Sequence, residues 1–163
     1  GKKAKAYINQ GKLVPDEITN DMVKKRLKKS DCKKGYILDG YPRTINQAEF
    51  LSEIEHIDKV VNFTLPDKEV IKRISGRRTC SRCGETYHVK WKKPKKPGVC
   101  DKCNGKLVQR SDEKPATIIK RLKVYKEKTS PLISFYQEKS VLINIDATPS
   151  IGEIYNILKK KIR

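Results

Sequence analysis

Gly35-Tyr36-Ile37-Leu38-Asp39-Gly40-Tyr41-Pro42-Arg43-Thr44 reads as three things in a row. The first is a short apolar run ending in a carboxylate, the signature of a buried strand with a functional tip. The second is a tight loop through Tyr41-Pro42-Arg43. The third is a helix start, because Thr44 followed three residues later by Gln47 forms a capping box. That helix is expected to run to about Glu55. Lys59–Leu65 (KVVNFTL) repeats the pattern as a second buried strand, closed by Pro66-Asp67 and followed by a helix from about Lys68 to Gly76. Strand, helix, strand, helix at this spacing predicts a parallel sheet with crossover helices.

The flanks fit the same scheme. Gly1–Gln10 reads as the end of a helix already under way, stopped by Gly11-Lys12-Leu13-Val14-Pro15. Asp16 and Glu17 open a helix whose Ile18, Met22, Val23 and Leu27 share one face. A long helical region follows Asp112 and is interrupted at Pro131. Val141–Asp146 (VLINID) is a third strand, and Ile151 begins a final amphipathic helix with basic residues in its last turn.

Between the second helix of this series and Asp112 lies a different kind of segment. Cys80-Ser81-Arg82-Cys83 and Cys100-Asp101-Lys102-Cys103 are two knuckles, each with thiols spaced to reach one metal ion. Four such sulfurs make a closed tetrahedral zinc shell with no position left for a substrate, so the metal is structural. The alternative is a pair of disulfides, which would leave Cys32 over; nothing at the N-terminus resembles a signal peptide. The insertion is strongly basic, and its middle, around Pro94, Pro97 and Gly98, reads as an extended loop.

The chain of 163 residues carries a net charge of +19, with 35% charged and 36% hydrophobic residues. That is one domain, or one domain with a small insertion. No run of eighteen apolar residues exists to span a membrane. The charge points to a polyanionic partner or to a lysine-rich solvated surface.

Five stretches, in order, resemble the adenylate kinase family. Leu38–Thr44 resembles its D-G-[FY]-P-R-T signature. Gly11–Glu17 resembles G-x-L-V-P-D-E. Arg73–Arg78 followed by the four cysteines resembles the mouth of a zinc-bearing lid. Gln109–Asp112 and Lys120-Arg121 resemble the lid's far side. The resemblance implies a three-layer parallel-sheet nucleoside monophosphate kinase of the P-loop type, with a small zinc-bound β lid. It implies a partial AMP-binding domain over 1–20, core over 21–76 and 114–163, and the lid over 77–113. It implies magnesium-dependent transfer between ATP and AMP, with lid closure excluding water, by a cytoplasmic monomer.

Site residues follow from the same resemblance. Asp39, Arg43, Arg77, Arg110 and Arg121 would be catalytic. Lys12, Leu13, Val14, Gly40, Arg43, Gln47, Arg110 and Arg121 would hold AMP. Arg73, Arg77, Thr86, Tyr87 and Pro149 would hold ATP. Cys80, Cys83, Cys100 and Cys103 would hold zinc, and Asp112 would help hold the lid. His56 and His88 read as incidental.

Two departures matter. The phosphate-loop pattern G-x-x-x-x-G-K-[ST] is absent. The resemblance therefore implies a chain starting within the nucleoside monophosphate domain, with the first strand missing. Residues 1–163 alone are then expected not to catalyse the transfer. Asp146-Ala147-Thr148 stands where the family has Asp-Gly-Thr. The rival readings are a zinc-ribbon nucleic-acid binder, a non-catalytic scaffold fragment and a kinase for another nucleoside monophosphate.

Overall fold

The computed structural model describes residues 12–162, together with Tyr7 and Gln10. The expected N-terminal helix over 1–10 therefore lies almost wholly outside the described residues. The chain forms two compact units. One contains Leu13–Leu65 and the segment from Lys123 onward. The other contains Pro66–Leu122.

In the first unit, α1 spans Asp16–Leu27 and α2 spans Ile45–Ile54. The acidic first turn of α1 and its Lys24-Lys25-Arg26 last turn both suit the helix dipole. Thr44 caps α2, its side-chain oxygen accepting from Gln47 N–H at 3.2 Å. The capping box is closed one residue early. The Gln47 side chain accepts from Arg43 N–H at 2.7 Å, not from the Thr44 amide. Strand β1 (Val60–Thr64) pairs in parallel with a later strand, Leu142–Asp146, residue for residue from Val60↔Leu142 to Thr64↔Asp146. Leu51, Leu27 and Cys32 form one apolar cluster of this unit, and Ala48, Leu132 and Tyr136 form another.

The expected strand at Tyr36–Asp39 is not there. Among the described residues this segment has no ladder partner, and Ile37 is 95% exposed. Strand structure requires backbone N–H and C=O groups paired with a neighbour, so the apolar run stays extended and unpaired. Cys32 lies just before it in a 3₁₀ turn, Ser30–Lys34, as a buried free thiol.

In the second unit, α3 spans Asp67–Ser75 and leads into a three-stranded antiparallel sheet. Its strands are β2 (Arg77–Cys80), β3 (Thr86–His88) and β4 (Leu107–Val108), in the order β3-β2-β4. His88 has a structural task here. Its Nδ1 accepts from the Lys90 and Trp91 amides, and its ring stacks on Trp91 at 4.0 Å. A 3₁₀ turn, Ser111–Glu113, then opens α4, Pro115–Val124. The chain returns to the first unit through a π-helical turn, Tyr125–Thr129, then α5 (Pro131–Glu138), β5 (Leu142–Asp146) and α6 (Ile151–Ile162).

Candidate functional site

The cysteine cluster sits where β2, β3 and β4 come together. The Cys80 and Cys103 sulfurs are 3.5 Å apart, the Cys83 and Cys100 sulfurs 3.6 Å apart. All four lie within 4.8 Å of one another. Four thiolates at the usual zinc–sulfur distance stand roughly 3.8 Å apart along the edges of a tetrahedron, close to what is seen. A disulfide would need about 2.05 Å, and all five cysteines are free. The disulfide alternative is thereby set aside.

The surroundings favour the thiolate at Cys100 and Cys80, while Cys83 goes the other way, up to about 12, because the Glu85 amide is outweighed by the Cys103, Cys100 and Cys80 sulfurs and by burial. The Tyr87 hydroxyl accepts from the Asp101 amide at 2.8 Å, which aims its proton at the Cys100 sulfur 3.5 Å away. That hydrogen bond draws the Cys100 thiol down to about 6 and pushes Tyr87 up to about 12. Backbone N–H groups of Cys83 and Arg82 likewise lower Cys80. Gly105 is required by close approach, since a Cβ there would stand 2.8 Å from the Cys80 sulfur and 3.2 Å from that of Cys103. Tyr87 is buried with its hydroxyl at the Cys100 sulfur, which leaves its backbone as the part available to a nucleotide. Thr86 beside it is exposed.

A second cluster lies at the foot of the same unit. Asp112 and Glu113 are both buried. Arg110 grips Asp112 with two bonds, Nε to Oδ1 at 2.9 Å and Nη2 to Oδ2 at 3.1 Å. Arg121 reaches the same carboxylate at 3.5 Å and the Asp112 carbonyl at 3.3 Å. Arg77 pairs with Glu113 Oε1 at 3.4 Å, while Glu113 Oε2 accepts from the Arg110 amide at 3.3 Å. Three arginines named from the sequence thus converge on two adjacent carboxylates. Their heads stay about half exposed, so the cluster presents concentrated positive charge to solvent. Forked guanidiniums held in this way suit phosphate oxygens. Arg73, in the last turn of α3, belongs to the same unit. Glu113 was not singled out from sequence. Its signal was its place directly after Asp112 in a Ser-Asp-Glu turn ahead of Pro115, a first-turn acid with somewhere to point.

The other expected residues lie in the first unit, except Lys12, which groups with the second. Gly40 takes φ +75°, and a Cβ on it would stand 2.8 Å from Arg43 Nη2. The Arg43 side chain folds over it, with Nε donating to the Gly40 carbonyl at 2.8 Å. The Tyr41–Pro42 peptide is cis. Asp39 is exposed at the head of this loop. Gln47 is 3% exposed, and its amide is occupied. It donates to Asp16 Oδ1 at 2.7 Å and Thr19 Oγ1 at 3.1 Å. Asp16 also accepts from the Thr44 hydroxyl at 2.7 Å. Asp16, read from sequence only as a helix opener, therefore ties α1 to the loop that carries Arg43. Lys12 is exposed, and Leu13 and Val14 are half-buried, on the approach to α1.

The substitution at Ala147 is accommodated by its neighbours. Asp146 accepts from the Thr148 amide at 2.8 Å and from its hydroxyl at 2.7 Å. This side-chain turn needs no glycine, and the same bonds hold the Asp146 carboxyl below its ordinary range. Pro149 follows, half-buried.

Comparison with known proteins gives one consistent result. The family profile described as adenylate kinase matches residues 1–141. The chain is 51% identical over 161 residues to an adenylate kinase of Treponema denticola, covering 99% of this chain and 77% of that protein. It is 50% identical over 167 residues to one of Caldanaerobacter subterraneus, covering 99% and 76%. It is 48% identical over 169 residues to one of Archaeoglobus fulgidus, covering 98% and 78%.

Proposed function

The chain belongs to the adenylate kinase family, and from that premise we propose how its residues serve reversible phosphoryl transfer between ATP and AMP. The observation that carries the reading is the gathering of Arg77, Arg110 and Arg121 on Asp112 and Glu113. Phosphoryl transfer is mostly positioning and stabilisation of charge on the transferring group. The two carboxylates hold the three arginines as a set while leaving their heads half exposed. An arriving polyphosphate competes for guanidiniums that are already oriented.

In this reading Arg43 grips the AMP phosphate, its loop held by Gly40 and Gln47. Lys12, Leu13 and Val14 line the AMP side, mainly through backbone. Gln47 reaches the adenine edge only by exchanging a bond it now makes to Asp16 or Thr19. Arg73, Thr86, Tyr87 through its backbone, and Pro149 flank ATP. Asp39 would help hold the magnesium that arrives with ATP, an ion that would supply neutralisation of phosphate charge.

Segment 77–113 is the lid, and its four cysteines hold one zinc. The sulfur spacing and the room made by Gly105 support that choice of metal. Zinc there supplies folding energy, not chemistry. Five unbridged cysteines fit a reducing compartment, in keeping with a cytoplasmic enzyme, which we take to act as a monomer.

The test is a coupled assay of ADP formation by the full-length protein. Arg110→Ala and Arg121→Ala should each lower kcat by orders of magnitude, since phosphate-clamping arginines are worth about 10³–10⁵ in rate. Near-normal turnover in either variant refutes the roles given to this cluster.

A further inference from the structure

Pro131 has no N–H to donate, so the helical ladder running down from α4 must lose a bond there. The break is taken up as a π-turn. Ser130 N–H donates to the Tyr125 carbonyl, five residues back, at 2.9 Å. Lys126, whose carbonyl an α-helix would have paired with that amide, instead accepts from the Ser130 hydroxyl at 2.7 Å. The extra residue turns everything after it by about 100° relative to an uninterrupted α-helix. Such turns occur often at functional sites.

On this turn sits Thr129. Its hydroxyl donates to the carbonyl oxygen of Arg43 at 2.8 Å, across 86 positions of sequence. The Arg43 amide is already taken by Gln47 Oε1 at 2.7 Å and its Nε by the Gly40 carbonyl at 2.8 Å. The peptide groups on both sides of the Arg43 Cα are therefore pinned. Two of these bonds arise within the loop and its own helix, and the third comes from a distant element.

We propose that Thr129 is a positioning residue for Arg43, aiming its guanidinium at the AMP phosphate. The inference rests on the reading of Arg43 as the AMP grip. The physical reason is leverage. A small rotation of the backbone at Arg43 swings the guanidinium at the far end of a long side chain. A misplacement of about 1 Å at a reacting group can cost on the order of 10²-fold in rate. A hydrogen bond at the carbonyl removes that rotation without touching substrate.

The test uses the full-length protein with Thr129→Val, which keeps the shape and loses the hydroxyl, and Thr129→Ser, which keeps the hydroxyl. Initial rates are measured with AMP varied at saturating ATP and the reverse, alongside thermal melting. Thr129→Val should raise KM for AMP about three- to tenfold, the worth of one hydrogen bond. KM for ATP should stay within about twofold, and Thr129→Ser should restore the parental KM for AMP. In an Arg43→Ala background Thr129→Val should add nothing further. Parental KM for AMP in Thr129→Val, with Arg43→Ala impaired, overturns the inference and leaves the reading of Arg43 standing. Both KM values rising together with a lowered melting temperature also overturns it, since a merely structural tie acts in that way. Arg43→Ala at near-normal turnover overturns the reading of Arg43 and the inference with it.

Discussion

Replacing Glu113 by alanine removes a carboxylate that is 2% exposed, hydrogen-bonded at Oε2 and ion-paired at Oε1. The Glu113 Oε2 bond satisfies the Arg110 amide. With Oε2 gone, that part-buried amide loses its protein partner at a cost of up to about 1–3 kcal/mol. The Glu113 Oε1 bond pairs with Arg77 at 3.4 Å, but the Arg77 side chain is 47% exposed. Water recovers most of that pair, so its loss adds only about 0.2–1 kcal/mol. The total is roughly 1–4 kcal/mol, which in a chain of this size lowers the melting temperature by about 2–16 °C. Glu113→Gln keeps an oxygen for the Arg110 amide and gives up only the ion pair. It should therefore lose less than half as much. The assay is thermal unfolding of the metal-loaded protein followed by circular dichroism, with urea unfolding as a second measure. Glu113→Ala melting within about 1 °C of the parent would show that the Arg110 amide finds another partner. Glu113→Gln melting as low as Glu113→Ala would show that the charge, not the backbone bond, matters.

Three further outcomes are expected. Gly105→Ala places a methyl group 2.8 Å from the Cys80 sulfur, so zinc should be lost to a chromogenic chelator at a lower chelator concentration than in the parent. Cys100→Ser should drop bound zinc, measured by mass spectrometry of the native protein, from about one per chain to well below one. Burial, with the nearby Asp16 carboxylate, pushes the Tyr41 phenol up to about 12 from its usual 10. The neutral phenol therefore favours the folded state, fully so below about pH 10, and that contribution falls away as pH rises through 12. Tyr41→Phe also loses the bond to Asn20 at 2.7 Å. It should be less stable than the parent at pH 7, with a gap that narrows by pH 12 in urea titrations.

Much of this molecule is legible in residue order, and what is not has particular causes. The metal site is legible because ligand spacing is a local property, and the four sulfurs converge as the knuckles imply. Helix α2 is legible because Thr44 and Gln47 lie within one turn, although the glutamine reaches the Arg43 amide. The strand expected at Tyr36–Asp39 fails because a strand is a property of a pair, and sequence describes only one member. Among the described residues the segment finds no partner. Tyr87 alternates correctly for β3, but only the fold shows that its inward face meets the Cys100 sulfur. Glu113 meets Arg77, 36 positions back, and Thr129 meets Arg43, 86 positions back, beyond the reach of any periodicity.

The register of β1 against β5 bears on the order of assembly. Asn62 and Asn144 face each other across the ladder, bonded side chain to side chain at 2.8 Å, yet stand 82 positions apart. Nothing can zip such strands together until the intervening chain has been drawn into a loop. Entropy charges for that loop by its flexible length, at about 0.6 kcal/mol for each doubling. Most of the intervening chain is the unit Pro66–Leu122, which carries its own sheet and its own thiolate cage. Once that unit has condensed it no longer counts as slack, and the strands search for each other on a shorter tether. A unit that condensed before the strands met would act as a spacer, shortening the flexible loop that the parallel pair has to close.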